Sequence, residues 1–298
     1  MRNKLAALLC RCLSFVAAVS VSVMCTARTL DEVTASGYIE IAVYRDFPPY
    51  SYLDDKQHPS GIDIEIGKLI ASRLNVEPRW FWLTADETVE DDLRNAVWKG
   101  HALNNRLVAD LMMRVPYDRE FSYAIDGYGA LKNENVVMFG PYQQEQWVLA
   151  RDLSKVKAVR TLAIFQYQKV GVEIDTLPDF YFSGAFLGRL RKNVVHYPDV
   201  FAAFAAFESD DLAAVVGMRS QIEWGAGKQA KNYDIDDDGL GELSKPFWDV
   251  GLAVGQANRQ LAHTIEELIE QAINSGEVMQ LFQQQGLSYR VPALYTPE

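Results

Sequence analysis

Apolar and polar positions along this chain switch repeatedly between a period of two and a period of about 3.6. Gly37-Tyr38-Ile39-Glu40-Ile41-Ala42-Val43 alternates and then becomes continuously apolar, which predicts a strand entering a buried parallel sheet. It stops at Arg45-Asp46-Phe47-Pro48-Pro49-Tyr50, where two prolines prevent further ladder donation. Asp54 to Pro59 reads as a turn, and from Gly61 the residues Ile62, Ile66, Leu69, Ile70 and Leu74 predict one face of a helix. Asp63 and Glu65 sit in its first turn, where acidic side chains favour the helix dipole. Arg79–Leu83 and Ala109–Met113 read as the next two strands. This βαβ order predicts a mainly parallel sheet flanked by helices.

A second unit of the same kind begins near residue 146. Lys169–Glu173, Asn193–Tyr197 and Leu212–Val216 read as strands, with a helix over Val200 to Phe207. Leu261, Ile265, Leu268, Ile269, Ala272 and Ile273 follow helical spacing, and a short helix around Val278 to Phe282 ends toward Gly286.

The amino terminus has a different pattern. Arg2, Lys4 and Arg11 precede an apolar run from Leu13 to Met24, and Cys25-Thr26-Ala27 offers small residues for cleavage. Residues 1–27 therefore read as a secretory signal peptide, too short for a membrane span, and predict a periplasmic protein with no span in its mature chain. Cys10, Cys12 and Cys25 all fall inside that segment, so a cut chain has no disulfide, thiolate metal site or cysteine nucleophile. At 298 residues with 49% hydrophobic and 23% charged side chains, the composition is that of a globular protein rather than a disordered one. The formal charge of −11 becomes −14 when the three basic residues of the leader are removed, which excludes a nucleic-acid partner.

Several ordered segments carry a resemblance. Gly37–Val43, Phe47-Pro48-Pro49-Tyr50 and Gly61–Ile66 resemble the opening of the family 3 periplasmic solute-binding proteins. Phe139–Tyr142 resembles the approach to their first interdomain crossing, Lys169–Thr176 the opening of their second lobe, and Asn258–Gly286 their closing helices. The resemblance implies a two-lobe α/β periplasmic binding fold of type II, with crossings near Tyr142 to Glu145 and Lys245 to Val250. Lobe 1 would comprise residues 28–144 plus 249–298, and lobe 2 residues 146–247. A narrower stretch, Asp91–His101 with Ala109–Pro116, is similar to the MxaJ/XoxJ-type branch associated with pyrroloquinoline-quinone alcohol dehydrogenases.

That branch implies a non-enzymatic accessory or maturation factor of a periplasmic methanol (alcohol) dehydrogenase, with the quinoprotein as partner. The alternative is the receptor of an ABC importer, partnered by its permease, for a small polar or anionic solute. A periplasmic dehydratase-like enzyme is a third reading, for which Glu173 and His101 are the available acid and base. The resemblance assigns cleft roles residue by residue. Phe47 and Tyr50 match the loop whose aromatic stacks on a ligand, and Arg119, or Arg114 nearer the strand end, matches a carboxylate-clamping arginine. Thr176 matches a second-lobe loop that contacts a carboxylate. After the strand at Leu212–Val216, where amino-acid binders carry an acid for the ligand ammonium, Gly217, Met218 and Arg219 stand instead. An ammonium without a carboxylate is costly in a dry site, so the sequence favours an anion or no small ligand.

Other chemistry is sparse. Asp234, Asp236 and Asp238, with Gly239 and Glu242, follow the first half of a calcium loop, but Lys245 stands where a bidentate glutamate is required. No cofactor is expected, this acidic loop being the one calcium-like candidate, and no nucleophile elbow, zincin helix or phosphate loop is present.

Overall fold

The computed structural model describes residues 27–209, 211–227, 233–236, 240, 243 and 245–296. The leader expected over residues 1–27 lies outside the described residues except for Ala27. The described chain begins with helix α1 (Leu30–Ser36), whose N-cap Thr29 and Glu32 form a reciprocal capping box. Strand β1 (Tyr38–Tyr44) follows, then a two-stranded ribbon of β2 (Tyr52–Leu53) and β3 (Pro59–Ser60), and helix α2 (Ile62–Arg73). Gly61 opens α2 at φ 117°, and a Cβ there would lie 2.3 Å from the Tyr50 carbonyl oxygen. Only glycine allows the helix to start this close to the Pro48-Pro49-Tyr50 loop.

Strand β4 (Glu77–Leu83) pairs parallel with β1 at the sheet edge, the one place where Pro78 removes no ladder bond. Helix α3 (Val89–Leu93) continues through a π-helical turn (Arg94–Trp98) to β5 (Leu111–Pro116), parallel to β1 on its other side. A short helix α4 (Arg119–Ser122) precedes β6 (Val136–Asp152), a strand of 17 residues. Lobe 2 adds β7 (Val170–Glu173), α5 (Leu177–Gly188), β8 (Val194–Tyr197), α6 (Val200–Glu208), β9 (Ala214–Met218), α7 (Arg219–Ala226) and β10 (Tyr233–Asp236). The chain returns through β11 (Phe247–Gly255) to α8 (Arg259–Asn274) and α9 (Glu277–Gln284).

Side-chain alternation divides the core into faces. In β1, Ile39, Ile41 and Val43 face a cluster with Ile62, Ile66 and Ile70 of α2 and Leu261, Ile265 and Ile269 of α8. Ala42 turns the other way, toward Phe81, Leu93, Val97 and Met112. Lobe 2 repeats the plan. Leu149 and Val216 face Val170, Phe182 and Leu190 on one side, while Val148 and Val215 face Phe204, Phe207 and Ile222 on the other.

The lobes meet along two strands rather than two loops. The first part of β6 pairs antiparallel with β11, and Trp147–Arg151 pairs with β9 in lobe 2. The sequence reading found neither β6 nor β11, because Gly140-Pro141 and the polar run Gln143–Gln146 interrupt any strand period. Those polar residues are buried nonetheless: Gln143, Glu145 and Gln146 are all nearly inaccessible.

Candidate ligand-binding cleft

A cavity of about 390 Å³ opens beyond the carboxyl ends of the parallel strands, where ligands of open α/β sheets bind. Tyr44 ends β1 and Phe47 follows it, Ala85 to Val89 follow β4, Pro116 ends β5 and Met218 ends β9. Trp248 and Val250, on the returning strand, complete the wall. Both lobes and the crossing therefore contribute.

One side of the cavity is acidic. Asp86, Glu87 and Asp92 line it. Asp92 is buried and accepts from Tyr44 Oη at 2.8 Å and from the Asp86 amide at 2.8 Å. Asp86 in turn accepts from Asn95 Nδ2 at 3.0 Å and the Glu87 amide at 2.9 Å. Every one of these partners is neutral, and among the described residues neither carboxylate forms an ion pair. Burial, with the neighbouring charge of Asp86 in support, raises the Asp92 carboxyl above the usual carboxylate range. Tyr44 and Phe47 meet edge to face at 6.0 Å beside these acids.

Beneath the cavity lies a buried polar network that ties the lobes together. Arg114, at φ 59° in the left-handed region, forms a bidentate pair with Asp63, with Nε to Oδ2 2.8 Å and Nη2 to Oδ1 3.0 Å. Its guanidinium carbon lies 3.4 Å from the Tyr50 ring centroid, and Nη2 also donates to Gln143 Oε1 at 3.0 Å. Tyr142 Oη donates to Asp63 at 2.8 Å. Glu145 Oε2 accepts from Tyr50 Oη at 2.6 Å, Ser220 Oγ at 2.9 Å and Gln143 Nε2 at 2.9 Å. Burial, together with the adjacent carboxylates, pushes both tyrosine hydroxyls well above their ordinary range, so they stay protonated and donate to those carboxylates.

The expected site residues separate on this frame. Phe47 and Arg114 line the cavity, while Tyr50 packs underneath at 5.0 Å from the Phe47 ring. Arg119, at the start of α4, lines a different cavity of about 570 Å³ with Tyr117, Tyr123 and Arg259. Arg219 starts α7 and pairs with Glu223 at 3.3 Å; it is not among the residues lining the cleft. Thr176 caps α5, its hydroxyl donating to the Glu173 carbonyl at 2.7 Å and accepting from the Asp179 amide. The structure thus does not assemble an arginine clamp. Of the two candidates, Arg114 is bound to Asp63 and Arg119 lines the other cavity.

The calcium-type pattern also resolves differently. Asp234 and Asp236 lie on strand β10 and pair with Arg151, Asp236 at 3.8 Å, so a guanidinium takes the place a cation would need. Asp238 and Glu242 lie outside the described residues. Lys245 pairs with Asp118 at 2.7 Å. The described half of the motif does not fit a calcium site.

Comparison with known proteins agrees with the geometry. The profile of bacterial extracellular solute-binding proteins, family 3, matches residues 39–96, from β1 through α3 into the π turn. No curated protein matches the chain in sequence. Among solved structures, an ancestral cationic amino acid solute-binding protein superposes with a TM-score of 0.67 at 16% identity, covering 86% of this chain and 99% of that one. The fold is that of the type II periplasmic binding proteins. Two more structures with this periplasmic binding fold illustrate the likeness. A mutant of the arginine-binding protein from T. maritima gives a TM-score of 0.56 at 22% identity over 86% of this chain and 98% of that one. An amino acid ABC transporter substrate-binding protein from Streptococcus pneumoniae, bound to L-arginine, gives 0.58 at 18% identity over 86% and 97%.

Sequence reasoning missed the acids of the cleft. It sought the ammonium partner in lobe 2, after the Leu212–Val216 segment, whereas Asp86 and Asp92 come from lobe 1, after β4. The only advance signal was an unusual density of acids, Asp86, Glu87, Glu90, Asp91 and Asp92, between a strand and an apolar helical run.

Proposed function

We propose that this protein is an exported, non-catalytic receptor that delivers a small solute to an ABC permease, and that the solute carries a cationic group. The observation that carries this reading is the cleft wall of Asp86, Glu87 and Asp92 beside Tyr44 and Phe47, three acids in a cavity lined by two arginines, the exposed Arg45 and Arg114, the latter already neutralised by Asp63. An ammonium or guanidinium there would gain two carboxylates and an aromatic face. An anion would meet like charge at Asp86 and Asp92. The expectation of an anionic solute therefore gives way to a cationic one. Several proteins sharing the fold support the same class: one is an ancestral cationic amino acid solute-binding protein and two others are bound to L-arginine.

The dehydrogenase-accessory reading rests on Asp91–Pro116. In the structure that stretch supplies core residues Leu93, Ala96, Val97 and Met112 and cleft residues Asp92, Arg114 and Pro116, so its pattern is accounted for within the chain. A periplasmic address follows from the leader-like residues 1–27. The test is the melting temperature across a solute panel. A tight binder adds RT ln(1 + [L]/Kd) to stability, so a basic amino acid should raise it and dicarboxylates should not. A panel in which only anions stabilise the protein overturns the ligand class, and one in which nothing does so overturns the receptor.

A further inference from the structure

Lobe 2 carries a basic end on an acidic protein. The chain has a formal charge of −11, yet residues 153–172 and 180–198 contain no aspartate or glutamate. Within them Lys157, Arg160, Lys169, Arg189, Arg191 and Lys192 are all exposed, and among the described residues none of the six is in an ion pair. The fold gathers them. Val170 of β7 is registered with Val194 of β8, which sets Lys169 beside the Arg191–Asn193 turn. Asn193 Nδ2 donates to the Phe165 carbonyl at 3.0 Å, and Leu162, Phe165, Phe182 and Leu190 share one buried cluster. These are the amino ends of parallel strands, the pole of lobe 2 away from the cleft.

An apolar tip stands at the same pole. Phe186 and Leu187 end α5 in the left-handed region, at φ 51° and 58°, between Gly184 and Gly188. Two successive large side chains in that region are disfavoured, and Leu187, 95% exposed, gains no burial in return, while Phe186 beside it is 39% exposed. Tyr167, next to the turn over residues 162–166, is 82% exposed. A strained, protruding apolar pair rimmed by free cations calls for an occupant that takes both.

We propose that this pole docks on the surface of an anionic phospholipid bilayer, headgroup phosphates meeting the Lys and Arg side chains while Phe186 and Leu187 enter the acyl boundary. A bilayer meets both features at once, since it offers diffuse negative charge over an apolar layer. A flat acidic protein face would satisfy the cations and leave the tip in water. Tyr167 has the amphipathic form favoured at that boundary. No helix among the described residues is long and apolar enough to cross a membrane, so the contact is peripheral. It leaves the cleft, at the opposite ends of the strands, clear of the bilayer.

The experiment is flotation of the exported, processed chain with vesicles of equal parts phosphatidylglycerol and phosphatidylcholine, against pure phosphatidylcholine. The expected result is binding to the first only, weakened by salt. The triple variant Arg189→Ser, Arg191→Ser, Lys192→Ser should bind about a hundredfold more weakly, from roughly fivefold per cation. The double variant Phe186→Ser, Leu187→Ser should lose about tenfold, with its melting temperature not lowered. No flotation, equal flotation with both vesicles, or a triple variant that binds like the parent overturns the proposal. So does binding to soluble polyglutamate as tight as to the anionic vesicles and indifferent to Phe186 and Leu187, because that would mark an acidic-protein surface.

Discussion

Tyr50 Oη lies 2.6 Å from Glu145 Oε2, joining the loop after β1 to the strand that crosses between the lobes. Ser220, the second residue of α7, donates to the same carboxylate oxygen, so one acidic side chain is held from both lobes at once. Removing the hydroxyl with Tyr50→Phe takes away one donor to a buried charge. The expected loss is about 2 kcal/mol in denaturant unfolding with an unchanged slope. A ligand-free solution scattering profile that becomes more open in this variant would show that the bond also holds the lobes together.

Asp63 and Arg114 form the deepest ion pair of the molecule's described part that links α2 to β5. Asp63→Ala leaves a buried guanidinium with Gln143 as its remaining side-chain acceptor, and should cost about 3–5 kcal/mol. Replacing both by apolar residues, Asp63→Leu with Arg114→Met, should cost less than Asp63→Ala, because no charge is left unpaired. Chemical denaturation of the single and double variants checks the order.

Asp92 gives the cleft a pH signature. Its carboxyl is raised by burial, so it takes up a proton at a higher pH than an ordinary aspartate. A cationic solute needs the ionised form, so affinity should fall as pH drops through that raised value, and Asp92→Asn should weaken binding and flatten this part of the profile. The sign for stability is opposite. A raised acid binds its proton more tightly in the folded state, so its contribution is greatest at low pH and declines as pH rises through the window. Titrating affinity and unfolding on the same samples separates the two.

Gly61→Ala should fail to adopt the native loop. The residue sits at φ 117°, and the added carbon would stand 2.3 Å from the Tyr50 carbonyl oxygen, a backbone atom that cannot swing away. Loss of soluble protein, or a fall in melting temperature larger than that of Tyr50→Phe, is the expected readout.

The alternating lobes were legible because buried parallel strands carry continuous apolar runs such as Ile41–Val43 and Val170–Val172 between helical periods. β6 and β11 were not, since the crossing buries polar residues and carries Gly140 and Pro141. The same physics hid the network. Asp63, Gln143, Glu145 and Ser220 read as surface residues one by one, and only the hinge geometry pairs them. Phe47 and Arg114 were named from their loops and do line the cleft cavity, but nothing local could reveal that Arg114 is bound to Asp63, 51 positions away.

The most direct measurement is isothermal titration of the chain from residue 28 onward with L-arginine and L-lysine, repeated on Asp86→Asn and Asp92→Asn. One site per chain for a basic solute is expected, weakened in both variants, and in Asp92→Asn by an amount that shrinks as pH falls. Heat from an anionic solute alone, or binding of a basic one that neither variant changes, would contradict it.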